Sequence, residues 1–201
     1  MERLHPEVAK LGGGDRRSIG RSNEVVADVL ADPTLFDLIF DAIASDDPLI
    51  AMRAADAVEK VTARRPELLR PHKRRLLTEL ASIPQQEVRW HVAQMLPRLS
   101  LSARERRQAA GIVESYLDDR SGIVRTCAMQ ALAELAADDA ELRARVVPFL
   151  RRLTRDGTPA MRARGRRLLA ELDKGEVSGA RSPGADRARS ARSRSDARKQ
   201  P

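Results

Sequence analysis

Apolar positions along the chain recur with a helical period, and the whole pattern then repeats as a block. Ile50, Val88, Val124 and Met161 stand 38, 36 and 37 residues apart, and each opens a stretch with the same spacing of small and apolar residues. The fifth residue of each stretch is Ala54, Val92, Ala128 or Gly165. The eighth and ninth are Ala57-Val58, Met95-Leu96, Ala131-Leu132 and Leu168-Leu169, and the twelfth is Val61, Leu99, Leu135 or Leu172. Positions spaced in this way fall on one face of an α-helix, so each stretch predicts an amphipathic helix. The small residues at 54, 128 and 165 predict helices that approach closely.

A second set of apolar positions precedes each of these helices: Leu38-Ile39, Leu76-Leu77, Ile112-Val113 and Phe149-Leu150, followed by Ala42, Leu80, Tyr116 and Leu153. Between the two sets stand helix breakers, namely Asp46-Asp47-Pro48, Ile83-Pro84, Arg120-Ser121-Gly122 and Asp156-Gly157-Thr158-Pro159. The unit is therefore helix, turn, helix, and the short turns force the two helices antiparallel. Neither helix can bury its apolar face alone, so four such pairs must stack on one another, which predicts an all-α solenoid. Ser22 to Ala31 predicts one more helix, capped by Ser22 or Asn23, at the N-terminal end. The expected organisation is a flexible Gly- and Arg-containing arm over 1–21, a helical repeat domain over 22–173, and a tail over 174–201.

The run from Asp119 through Val124-Arg125 to Leu135 resembles a HEAT repeat, and the chain from about 33 to 173 is similar to the HEAT and armadillo-like α-solenoids, in a small form of the bacterial type. The resemblance implies a right-handed α-α solenoid whose second helices line the concave face. It also implies a ladder of hydrogen bonds between an aspartate in the turn and an arginine six residues later. Asp119 with Arg125 and Asp156 with Arg162 match that spacing. Ser45, Ala51 and Ile83 interrupt the ladder pattern in the first two units. A fold of this kind implies no particular activity.

Composition agrees with helices and narrows the chemistry. Aromatic residues make up 2% of the 201 and hydrophobic residues 42%, so the core must be aliphatic. Cys127 is the single cysteine, which rules out an intramolecular disulfide and suits a reducing compartment. No apolar run is long enough for a membrane span and the first residues do not read as a signal peptide, so a cytoplasmic protein without membrane contact is expected. The formal charge is +8, but eight Lys or Arg residues against Glu176, Asp186 and Asp196 place much of it in the tail. That Arg- and Ser-rich tail has too few apolar side chains to fold and reads as disordered.

If the second helices line a concave face, their outward positions are the binding surface: Arg53, Asp56, Trp90, His91, Gln94, Gln130, Arg164 and Arg167, with Thr126, Cys127 and Ala163 between them. Trp90 is the strongest candidate, because a tryptophan outside the apolar columns is a common interface anchor. Gly12 to Gly20 encloses Arg16 and Arg17 and could cradle a phosphate, although it lacks the lysine and preceding strand of a nucleotide-binding loop. Arg64, Arg65, Arg70, Lys73, Arg74 and Arg75 are the densest positive run within the repeats and offer further phosphate contacts. His5, His72 and His91 have no metal-binding spacing, and no cofactor or catalytic motif is evident. The expected function is a non-enzymatic scaffold that binds a protein or peptide partner. The alternative is a nucleic-acid-binding module using the tail and the basic run. A DNA glycosylase built from HEAT-like repeats is a remote third, since the chain has one tryptophan and no Trp-x-x-x-Asp arrangement.

Overall fold

The structure, a computed structural model, describes residues 4–15 and 17–179, and the side chains of these up to residue 174. All regular structure among the described residues is helical: α1 (Pro6–Ala9), α2 (Ser22–Ala31), α3 (Phe36–Asp41), α4 (Pro48–Arg64), α5 (Lys73–Leu76), α6 (Glu79–Ser82), α7 (Gln86–Met95), α8 (Ala103–Ser115), α9 (Gly122–Ala136), α10 (Ala140–Asp156) and α11 (Pro159–Gly179). Short 3₁₀ turns extend several of them, as at Ala42–Ala44, Leu96–Arg98 and Tyr116–Asp118. No helix among the described residues is long and apolar enough to cross a membrane.

Helix starts follow local chemistry. Asp47 accepts from the Leu49 amide with Pro48 in the first turn, Asp139 accepts from Leu142, and Ser121 accepts from Val124. Ser102 and Glu105 form a reciprocal capping box at the start of α8. At α2 the cap position is Arg21, without a side-chain cap, rather than Ser22 or Asn23. Ser22 lies inside the helix because its hydroxyl is drawn inward, to the Asp56 carboxylate at 2.6 Å.

The second helices pack in sequence order, α4 on α7, α7 on α9 and α9 on α11, with α2 on the outer side of α4. Against this row lie α3, α8 and α10. Of the five residues in each apolar column set, all twenty are buried save Leu169, which is partly buried and packed on the core. Burial of this aliphatic face is the main favourable contribution to the fold. At Gly165 an added Cβ would stand 2.0 Å from the Thr154 hydroxyl, so glycine there lets α11 lie directly on α10.

In the second unit the first helix is broken. α5 and α6 are separated by Thr78, whose φ of −130° and ψ of −82° leave the helical region. Its hydroxyl bonds back to the Arg74 carbonyl at 2.9 Å, a local alternative to the helical ladder that a β-branched hydroxyl residue can take. At the N-terminus, where a flexible arm over 1–21 is expected from sequence, Val8 and Leu11 are buried within the same core as the repeats. The C-terminal helix runs to Gly179, past the boundary expected at 173.

Candidate functional site

The third and sixth residues after each column start form two further rows that flank the buried face. The first is Arg53, His91, Cys127 and Arg164; the second is Asp56, Gln94, Gln130 and Arg167. Their surroundings differ sharply along the molecule.

Arg53 is only 1% exposed and is no surface residue. Its guanidinium donates to backbone carbonyls of one segment: Leu11 at 2.9 Å, Gly13 at 2.6 Å, Asp15 at 3.0 Å and Ser18 at 3.1 Å, with Gly12 at 3.3 Å. A planar cation with five N–H donors is suited to such an arrangement, which satisfies a buried charge without a carboxylate. Gly20, at φ +55°, lies against the guanidinium plane, and a Cβ there would approach its carbon to 2.7 Å. Asp56 is turned to Ser22 and to Lys60, 2.7 Å away. Both residues, expected on the binding surface, therefore serve the N-terminal packing instead.

These contacts also decide the glycine loop. It turns its carbonyls inward, and several amides are used internally: Arg17 donates to Asp15 at 2.8 Å and Gly20 to the Ser18 hydroxyl at 3.0 Å. The loop thus cradles a cation supplied by its own chain. Arg17 is exposed, and Arg16 lies outside the described residues.

On α7, Trp90 is half-buried, with its ring edge-on to His91 at 5.6 Å between centroids. Gln94 donates to the Trp90 carbonyl at 3.1 Å. His91 is 8% exposed, and its Nδ1 is buried without a hydrogen-bond partner. Burial drives its pKa down to about 4, against the pull of Asp56 and Glu59, so the ring is neutral at pH 7. It forms part of the floor of the row.

On α9 and α11 the row is open. Thr126 and Cys127 are half-buried, and burial pushes the Cys127 thiol above its ordinary pKa. The Gln130 side-chain oxygen accepts from both Arg164 at 2.8 Å and Arg167 at 2.9 Å, while the Gln130 amide nitrogen donates to Glu134 at 2.7 Å. Ala163 is exposed beside them. Three of the residues expected on the surface are thus brought to one point.

The basic run is dispersed rather than joined. Arg65 pairs with Glu67 and Lys73 with Glu105, each at 2.7 Å, and Arg75 with Asp41 and Glu79. Arg64, Arg70 and Arg74 are exposed. The ladder residues also find other partners. Asp119 accepts from Arg89 at 2.7 Å, whereas the Arg125 Nε is buried and unpartnered. Asp156 pairs with Arg155, and Arg162 donates to the Gly157 carbonyl at 3.2 Å.

Sequence reasoning missed Arg89 and Arg98. Arg98 reaches from the end of α7 to the Glu59 carbonyl at 2.7 Å, the Thr62 hydroxyl at 3.0 Å and the Glu59 carboxylate. Each arginine occurs among many others, and no local spacing marks it as a bridge between units. Comparison with protein-family models, with curated proteins and with solved structures finds no match.

Proposed function

We propose that the chain is a HEAT-like, right-handed α-α solenoid that acts as a non-enzymatic scaffold, holding a segment of a protein partner along its second helices. The consecutive packing of α4, α7, α9 and α11 supports the solenoid, because stacked helix pairs bury one face and present the other as a long preformed surface. The observation that carries the binding role is the stretch from Trp90 to Arg167. There a half-buried tryptophan, a thiol and two arginines converging on Gln130 line adjacent helices, each with part of its surface exposed among the described residues. A mixture of one aromatic anchor with polar groups is typical of a peptide-binding surface. Arg65, Lys73 and Arg75 of the basic run are paired with carboxylates, which leaves the nucleic-acid alternative only Arg64, Arg70 and Arg74 there, and residues 180–201 of the tail lie outside the described residues.

The test uses the sole cysteine as a reporter. Peptides are selected on the full chain from a random displayed library, and alkylation of Cys127 by iodoacetamide is followed with and without each selected peptide. Binding on the row slows alkylation in a dose-dependent way. Selected peptides that bind but leave the rate unchanged place the binding surface elsewhere.

A further inference from the structure

Arg53 and Arg164 occupy the same position in the first and last units, three residues after Ile50 and Met161 respectively, yet their surroundings are opposite. The guanidinium of Arg53 is surrounded by carbonyls of a chain segment. That of Arg164 has one neutral side-chain oxygen, which it shares with Arg167. Arg167 also faces the Glu171 carboxylate, so among the described residues Arg164 is the cation of the pair held against an uncharged acceptor alone, and an anion placed between the two guanidinium groups offsets its charge and the repulsion between them. Their planar forks match a carboxylate, which can accept from both.

The neighbouring groove fixes what else the ligand carries. Gln130 stands at the mouth of a depression of about 230 Å³ between α9 and α11, floored by Ala133, Leu168 and Leu172. Glu134, Asp138 and Glu171 also line it, Glu171 standing 3.4 Å from the Arg167 Nε. The floor accepts an apolar side chain, and these carboxylates repel a second negative charge. A run of acidic residues is therefore disfavoured relative to a single one.

We propose that Arg164 and Arg167 receive one acidic side chain of the partner segment, in place of the Gln130 oxygen, while an adjacent apolar side chain enters the groove over Leu168 and Leu172. The motif recognised is an acidic residue next to an aliphatic one. This deepens the peptide-binding reading above and rests on it.

The probe is the blocked dipeptide N-acetyl-Glu-Leu-amide, titrated at millimolar concentration into the full chain. The readout is NMR of the arginine Nε–H and glutamine side-chain amide signals. Saturable shifts confined to Gln130, Arg164 and Arg167 are expected, with the Gln-Leu analogue at least 10-fold weaker. Arg164→Gln with Arg167→Gln abolishes the shifts, while Arg151→Gln with Arg166→Gln, which removes the same charge at exposed positions, leaves them. Equal binding of the Glu and Gln analogues, shifts spread over all arginines, or no saturable shift overturns the motif. If library-selected peptides still protect Cys127 in that event, the peptide-binding surface stands and only its acidic specificity falls.

Discussion

Arg89 on α7 donates to the Asp119 carboxylate at 2.7 Å and thereby joins two units 30 residues apart in sequence. The same carboxylate accepts from the Ser121 amide at 2.8 Å, just before α9, so one side chain both shapes a turn and ties it to the preceding unit. The Arg89 guanidinium also lies 5.5 Å from the centre of the Tyr116 ring.

Removing Arg89 leaves a carboxylate that is 8% exposed without its cation. Arg89→Met should cost about 2 kcal/mol, measured by denaturant unfolding at pH 7. Burial pushes the Asp119 pKa up, but the Ser121 amide and the Arg89 and Arg125 charges outweigh it and hold the carboxyl below its ordinary range. A carboxyl whose folded pKa is depressed contributes stability above its unfolded pKa and loses it as the pH falls through the folded one. The stability loss below about pH 4 should accordingly be shallower in Arg89→Met than in the wild type.

The Arg53 contacts predict that residues 11–18 depend on one side chain 35 to 42 positions away. Arg53→Met should strip the carbonyls of their donor and cost about 3 kcal/mol or more. Gly20→Ala should cost about 1–2 kcal/mol, since it introduces both a left-handed alanine and a close contact with the guanidinium. Hydrogen exchange should show lost protection at Val25 and Val29 of α2 in either variant before any loss in α9. Unchanged exchange in both variants would mean that the segment contributes nothing to the packing of α2.

His91 predicts an acid dependence of its own. Its folded pKa of about 4 lies below the ordinary histidine value, so the unfolded chain takes up a proton first and stability falls as the pH drops from about 6.5 to about 4. The full loss is about 3 kcal/mol. His91→Leu keeps the volume and removes the titration, and its stability should be flat across that window where the wild type declines. Parallel pH profiles for the two proteins would assign the decline to other groups.

Much of the architecture was legible because hydrophobic period and breaker residues are local signals. The column residues from Ile50 to Leu172 could be placed without the structure, and so could the close helix contact at Gly165. The interrupted helix at Thr78 was hidden, because Leu76, Leu77 and Leu80 keep a helical spacing while one hydroxyl takes the backbone elsewhere. Arg53 was misplaced for a related reason. Helical spacing puts it on the same row as Arg164, and only the distant carbonyls of 11–18 bury it. The three clustered glycines and Gly20 were the available signal for a close backbone approach, but they do not say what is approached. Arg125 had the expected ladder spacing, yet the cation that reaches Asp119 is Arg89, since contact between units depends on how they stack.

The central claim, a peptide-binding surface along the second helices, is tested most directly by the affinity of a library-selected peptide for Trp90→Ala beside the thermal stability of that variant. Trp90 is half-buried and rests on the core only in part, so its loss should lower stability by no more than about 2 kcal/mol. As the aromatic anchor of the row it should weaken peptide binding by about 2 kcal/mol, roughly 30-fold. A variant that is destabilised but binds the peptide with wild-type affinity would return Trp90 to the core and contradict the assignment.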